Sequence, residues 1–296
     1  MKKLMIAGAA ALCAAVGFGE IASENVVGYM GKALVDGNQM IGASFVSVGT
    51  VDGDGDACIK LSTIKPVGYE EVQDLIDQEG TWGDFSFQVL DGAGNMVGWF
   101  AWNQDYDTAN GEWLPGQWFD VINSVSITGE DAAHEVLLKK GDGIWFNRAT
   151  DFDLSGTTLQ SSGEAILDAQ DVDLVDGNQA LAMPVSFDVK LSKVKPTGYE
   201  AIQDLIDQEG TWGDFSFQVL NGAGNMIGWY AWNQDYDTAN GEWLPGQWFD
   251  VINSVSITGE DATHEKTFAP GDAVWFNRAT DFDLSGTTLS FPGIDD

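Results

Sequence analysis

The sequence has few basic residues, and this shortage limits its partners. Thirteen Lys and Arg residues stand against 46 Asp and Glu, which gives a net charge of −33. A surface of this charge repels nucleic acid phosphates and anionic lipid headgroups, so we expect no nucleic acid partner. It suits a soluble protein that meets cations, neutral sugars or basic partners.

The usual catalytic motifs are also missing. The chain has two His residues, His134 and His264, and contains no G-x-S-x-G, phosphate-binding loop or metal-type His cluster. Acidic pairs carry little information in so acidic a chain. A two-carboxylate glycosidase is recognised by spatial separation, which spacing along the chain does not give. We therefore expect no enzyme, with a glycan-active enzyme as the least favoured alternative.

Long apolar runs are absent except at the N-terminus. Lys2 and Lys3 precede the apolar stretch Leu4–Phe18, and the small residues Gly17 and Gly19 fit the positions before a cleavage site. This pattern predicts a secretory signal cut after Gly19. We expect a mature chain without a transmembrane segment that is secreted, periplasmic or at the cell surface.

Cysteine is nearly absent. Of the two residues, Cys13 lies inside the predicted signal, so only Cys58 remains in the mature chain. No intramolecular disulfide can then form, and the fold must rest on its core. We expect Cys58 to be a small buried side chain, with an intermolecular bridge as the lesser alternative.

An internal repeat dominates the rest of the chain. Residues 64–159 align without a gap to residues 194–289, and 15 of these 96 positions differ. Upstream, residues 34–39 match residues 174–179, and copy one carries ten extra residues in between. We predict a signal peptide at 1–19, copy one at 20–160 and copy two at 161–296. The polar stretch Gln160–Gly163 marks the boundary.

Alternating apolar and polar residues predict strands. Phe85, Phe87 and Val89 alternate with polar residues, and a turn-forming stretch at 91–95 leads into Met96–Trp102, so these segments predict a hairpin. Further strands are predicted at 25–32, 39–48, 117–127, 143–148 and 152–159. Glu70–Gln78 has helical spacing. The predicted fold is all-β, with two tandem β-sandwich, jelly-roll-like domains, each with a short helix.

Several segments resemble a group of exported bacterial proteins. They are Ser23–Tyr29 and Asn38–Phe45 near the start, and Lys140–Phe146, Leu154–Gly156 and Pro270–Phe276 near the ends of the copies. The resemblance implies an exported, β-rich and often repeated module, and it implies no catalytic residues. Copy two departs from it, because Asp168 and Ala169 replace the Gly-Tyr pair of the opening motif.

The ten-residue insertion contains a candidate calcium site. Asp52, Asp54 and Asp56 alternate as at the start of an EF-hand loop, and carboxylate oxygens suit Ca²⁺. Ala57 and Thr63 stand where an EF-hand has Gly and Glu, so a complete EF-hand is not expected. The alternative is a solvated acidic turn without metal.

The aromatic region predicts a carbohydrate site. Aromatic faces stack on pyranose rings while Asp, Asn and Gln bond the hydroxyls. The predicted ligand-binding residues are Trp102, Asn103, Asp105, Asp107 and Trp113, with Trp232, Asn233, Asp235, Asp237 and Trp243 in copy two. Alternation places Trp99 and Trp102 on opposite faces, so at most one of them is exposed. The alternatives are core packing for the Trp residues and a polar hairpin tip for the rest.

These observations favour a non-catalytic module that binds extracellular polysaccharide or other cell-surface components, with Ca²⁺ as an aid. The alternative is a structural or surface-assembly protein of the cell envelope, which would pack with its partners through sheet edges.

Overall fold

The computed structural model is all-β in the residues that it describes, as predicted. These are residues 27–35, 37–42, 45–47, 49–68, 85–90, 95–103, 106–129, 134–148, 156–198, 215–221, 225–233, 236–260, 263–278 and 286–296. Their only helical elements are the 3-10 turns Leu61–Thr63 and Leu191–Lys193. The predicted helix Glu70–Gln78 lies outside this set. No helix in the described ranges is long and apolar enough to cross a membrane.

Copy one forms short strands separated by tight turns. They are β1 (Val27–Ala33), β2 (Gly37–Gly42), β3 (Phe45–Val46), β4 (Cys58–Lys60), β5 (Lys65–Val67), β6 (Phe85–Leu90), β7 (Met96–Asn103), β8 (Tyr106–Asp107), β9 (Glu112–Trp113), β10 (Gln117–Asp120), β11 (Val125–Ile127), β12 (Leu137–Lys139), β13 (Gly143–Arg148) and β14 (Thr158–Ala165). The prediction for residues 143–148 is confirmed to the residue.

Copy two repeats this series. Its strands are β15 (Gln170–Asp173), β16 (Gly177–Ala182), β17 (Val189–Lys190), β18 (Lys195–Thr197), β19 (Phe215–Leu220), β20 (Met226–Asn233), β21 (Tyr236–Asp237), β22 (Glu242–Trp243), β23 (Gln247–Asp250), β24 (Val255–Ile257), β25 (Thr267–Phe268), β26 (Ala273–Arg278) and β27 (Thr288–Phe291).

Each copy contains one large and one smaller antiparallel sheet. In copy one, the order of the large sheet is β11-β10-β7-β6-β13-β2, and β14 pairs with β1, β3 and β5 in the smaller one. Copy two has the orders β16-β26-β19-β20-β23-β24 and β15-β27-β18. Short two-stranded pairs join β4 to β12, β8 to β9, β17 to β25 and β21 to β22. The sheets are arranged like a four-bladed β-propeller.

The predicted hairpin is confirmed as β6–β7. Phe87 lies opposite Phe100, and the register shifts between Val89 and Leu90, next to the connecting turn. Residues that lie directly opposite each other on paired strands point to the same face, so Phe87 and Phe100 share one face of the sheet. That face is the core face, since both residues are at most 5% exposed.

Aromatic side chains fill the core of each copy. In copy one the Trp118 indole contacts Phe87 and Trp102 edge-on, with ring centroids 5.0 and 5.2 Å apart. The Trp118 Nε1–H donates to the Ile64 carbonyl at 2.8 Å, which satisfies its polar atom inside the core. Trp248 makes the equivalent bond to the Val194 carbonyl at 2.7 Å. Each aromatic ring pair adds about 0.5–1.5 kcal/mol beyond the burial of apolar area.

The polar stretch that marks the predicted boundary lies within a strand. β14 continues through residues 160–165, and Gln160 and Glu164 lie opposite Gly31 and Val27 of β1. This stretch therefore extends the smaller sheet of copy one, and its polar residues belong to a strand that faces solvent on one side.

The two copies meet through a pseudo-symmetric contact. The Gly42 N–H donates to the Gly271 carbonyl at 3.0 Å, and the Ala182 N–H donates to the Gly141 carbonyl at 2.8 Å. The two bonds are equivalent in the repeat, because Gly42 aligns with Ala182 and Gly271 aligns with Gly141. The ends of β2 and β16 thus join the large sheets of the two copies by equivalent backbone hydrogen bonds.

Side-chain size at this contact differs between the copies. A Cβ added to Gly42 would lie 2.2 Å from the Ala182 Cβ, and one added to Gly143 would lie 2.8 Å from the Ala180 carbonyl carbon. Copy two has Ala182 and Ala273 at the positions of these glycines. Ala182 of copy two therefore packs its methyl group against Gly42, and Ala180 packs against Gly143.

Candidate functional site

The Asp52 carboxylate is fully engaged within the protein. Its Oδ1 accepts the backbone N–H groups of Asp54 and Asp56, both at 2.9 Å, and its Oδ2 lies 2.7 Å from the Lys139 ammonium. The hydrogen bond with Lys139, followed by the one from the Asp56 N–H, lowers the pKa of Asp52 to about 2. The same ion pair raises the pKa of Lys139 to about 12.

Lys139 takes the place that a cation would need in this loop. Its ammonium also lies 3.6 Å from Asp54, whose side chain is 83% exposed. In the part of the chain that is described, no group of three or more Asp, Glu, His or Cys side chains is arranged to hold a metal. Copy two lacks the insertion and has Ala269 at the position of Lys139. The Asp52 carboxylate is thus paired with an internal cation, and the calcium site at Asp52, Asp54 and Asp56 stays a prediction.

Cys58, at the end of this loop, is buried as predicted. It is a free cysteine with no exposed surface. Its Sγ–H donates to the Asp56 carbonyl at 3.2 Å. Burial, reinforced by the negative charge of Asp52, raises the pKa of the thiol. This thiol therefore acts as a packing group.

Trp102 and Trp232 lie in the core, although the sequence predicts that they bind ligand. They are 4% and 6% exposed. A Cβ on Gly116 would lie 2.3 Å from the Trp102 ring, and Gly246 stands in the same relation to Trp232. The glycine lets the chain pass directly over the indole, so the ring face that a sugar would need is covered.

The other predicted residues lie near the end of the same sheet. Asn103 lies opposite Gln117 on the face away from the core, as Asn233 lies opposite Gln247. Asp107 and Trp113 belong to the hairpin β8–β9, and Asp237 and Trp243 to β21–β22, where the structure describes only the backbone of these four. Asp105 and Asp235 lie outside the described residues. The structure brings Asn103 and the hairpin onto adjoining strands.

A row of side chains crosses the outer face of the large sheet. Trp145 lies opposite Gln88 in the pairing of β13 with β6, and Gln88 lies opposite Trp99 in the pairing of β6 with β7. All three are half-buried. Their neighbours along the strands, among them Phe146 and Phe87, point into the core. Gln88 therefore lies between two indoles on the face away from the core.

The spacing of this outer row follows from sheet geometry. Adjacent strands are about 4.8 Å apart, so Trp145 and Trp99 lie about 9–10 Å apart across the sheet. Farther along the same face, the Gln117 Nε2 donates to the Ser126 hydroxyl at 3.0 Å. The face carries two half-buried indoles with amide and hydroxyl groups, the Trp99 Nε1 is buried, and the row contains no ionised side chain.

Copy two carries the same row. Trp275, Gln218 and Trp229 are aligned by the pairings of β26 with β19 and of β19 with β20. The face of Trp145 could be predicted from the sequence. Ile144 and Phe146 are apolar at alternate positions, which places Trp145 on the opposite face. The face of Trp99 could not be assigned in this way, because Met96–Trp102 is apolar on both faces.

Comparisons of the chain with protein-family models, curated proteins and solved structures found no match.

Proposed function

We propose that this protein is an exported, non-catalytic binding protein for a neutral extracellular polysaccharide. Each copy would bind through the outer face of its large sheet. The observation that carries the proposal is the row Trp145–Gln88–Trp99, in which a hydrogen-bonding amide lies between two half-buried indoles.

The chemistry of the outer row suits a sugar polymer. The C–H groups of a pyranose pack on an indole face, and the hydroxyls at the ring edge bond to side-chain amides. Two indoles on strands about 9–10 Å apart would contact different sugar units of one chain. The polymer would then cross the strands of the sheet.

Charge narrows the class of polysaccharide. The chain carries a net charge of −33, so an anionic polymer would be repelled on approach. A neutral polymer meets no such barrier. Because each copy has its own row, one polymer bridging both rows would gain avidity from the tethering. The proposal involves no calcium, since Asp52 is already paired with Lys139.

Polysaccharide pull-down of the mature chain tests this function. The chain is incubated with cellulose, chitin, mannan and starch granules, and the bound fraction is measured. Trp99→Ala with Trp145→Ala removes the row of copy one, and Trp229→Ala with Trp275→Ala removes that of copy two. We expect each double variant to weaken binding at least tenfold and the fourfold variant to abolish it.

The control is Trp118→Phe, which perturbs the core and leaves both rows intact. It should bind as the wild type does at a temperature where it is folded. If the wild type binds none of the polymers, or if the fourfold variant binds as well as the wild type, the proposed function is wrong.

We also propose that each copy is a two-layer sandwich, jelly-roll-like in outline. The support is the composition of the core. The cluster of copy one combines Phe87 and Trp118 of the large sheet with Leu159 of the smaller sheet, and the cluster of copy two combines Phe217 and Trp248 with Leu289.

Surface assembly is a second candidate, which the edge strand β1 favours. Val27 and Tyr29 are 66% and 61% exposed and alternate on one face of β1, which pairs only with β14 among the described strands. The corresponding edge of copy two, β15, presents exposed Asp171 and Asp173 instead. Unprotected edges invite strand addition, whereas charges oppose it. Light scattering of Tyr29→Lys tests this role, which predicts that the variant loses any concentration-dependent assembly of the wild type.

A further inference from the structure

A groove of about 240 Å³ lies where the two copies meet. Copy one contributes residues around the end of β1 and the middle of β2, and copy two contributes β19, β25 and β26. Its lining includes Lys32, Val35, Val219, Leu220, Lys266 and Asp272. The groove is separate from both outer rows.

The groove combines apolar walls with two ammonium groups. The Lys32 ammonium is ion-paired to Asp272. The Lys266 ammonium lies 5.4 Å from the centre of the Phe268 ring. Within the described part of the chain, no carboxylate is within ion-pairing distance of Lys266. An unneutralised lysine beside an apolar wall is unusual in a chain with 46 acidic residues.

The pseudo-symmetric position on the other side of the contact does not reproduce this groove. Val136 and Val172 stand there in place of Lys266 and Lys32, and Leu138 stands in place of Phe268. In the stretch where only 15 of 96 aligned positions differ, four differences fall on groove-lining residues of copy two: Lys266, Phe268, Ala273 and Val274. Divergence between the copies is thus concentrated at this groove.

We propose that the groove is a binding site for a small amphiphilic anion, such as a medium-chain carboxylate, with one site per chain. The apolar body of the ligand packs against the accessible apolar residues of the lining, Val35, Val219 and Leu220. Its anionic group bonds to the Lys266 ammonium, where a charge-assisted hydrogen bond is stronger than a neutral one. Asp272 keeps Lys32 neutralised, so Lys266 provides the charge that selects the ligand.

Isothermal titration of the mature chain with octanoate tests the proposal. We expect saturable binding with a stoichiometry of one per chain, and binding of neutral 1-octanol that is at least tenfold weaker. Lys266→Val installs the residue of the other copy and should weaken octanoate binding about tenfold or more. Lys195→Val removes the same charge from the exposed strand β18 and should leave binding unchanged.

A gain-of-site variant complements the loss. Val136→Lys with Val172→Lys places both lysines on the other side of the contact and should raise the stoichiometry towards two. Thermal melting of every variant checks that it is folded. Absence of octanoate binding, equal binding of octanol, or an unchanged affinity in folded Lys266→Val would each overturn the proposal.

Discussion

The contact between the two copies predicts a strong coupling between residues 42 and 182. In the Gly42→Ala variant the new methyl carbon would lie 2.2 Å from the Ala182 Cβ and 3.2 Å from the Asp272 carbonyl oxygen. The first distance is far below a van der Waals contact, and the second involves backbone that cannot easily move. Gly42 has no positive φ, so the backbone itself accepts alanine. The cost therefore comes from overpacking, which is about 1–3 kcal/mol in a close-packed site.

A double-mutant cycle isolates this contact. Ala182→Gly alone removes a fully buried methyl group and frees the unfolded chain, which together cost about 1–2 kcal/mol. In the double variant the methyl group moves from one copy to the other and the clash disappears. We expect the double variant to be about as stable as Ala182→Gly alone, with a coupling energy of about 1–3 kcal/mol.

Guanidinium unfolding followed by tryptophan fluorescence measures these differences. Gly53→Ala is the matched control, because no atom lies within 4 Å of its new methyl group. It should shift stability by no more than about 0.5 kcal/mol. The reasoning is refuted if Gly42→Ala is as stable as the wild type, or if the two substitutions are simply additive.

Three further predictions concern the core, the Asp52 loop and Cys58. Trp118→Phe removes the bond to the Ile64 carbonyl and leaves a void, so thermal unfolding should show a loss of about 2–3 kcal/mol, whereas half-buried Trp99→Phe should cost under about 1 kcal/mol. The pKa of Asp52 lies below its ordinary value of 3.8, so its pairing stabilises the fold above pH 3.8 and this stabilisation is lost as the pH falls towards 2. The difference in Tm between wild type and Asp52→Asn should therefore shrink below pH 4. A difference in Tm that stays constant would contradict the pairing. In a Cys13→Ser background, a thiol reagent should leave Cys58 unmodified in the native chain and modify it in guanidinium, and rapid native modification would contradict its burial.

The local strand pattern was well predicted from the sequence. Alternation in 85–90 identified the hairpin β6–β7, and the apolar character of 143–148 gave β13 with its bounds. These features depend on neighbours in the chain, which a period of two records directly. The burial of Cys58 also followed from composition alone.

The candidate site was predicted less well, because it depends on contacts between distant segments. The choice between Trp99 and Trp102 required the face that meets the core, which β7 does not reveal by itself. Gly116, which covers Trp102, lies fourteen residues away along the chain. Asp52 is paired with Lys139, which is 87 residues away. A signal for that pair existed, since copy two lacks both the insertion and the lysine.

The polysaccharide site is tested most directly by a crystal structure of the mature chain with an oligosaccharide of the neutral polymer that it binds best. The proposal predicts sugar rings packed on Trp99 and Trp145, with a hydroxyl bonded to the Gln88 amide, and the same arrangement at Trp229, Gln218 and Trp275. A crystal in which the sugar lies elsewhere while both outer rows carry no sugar would contradict it.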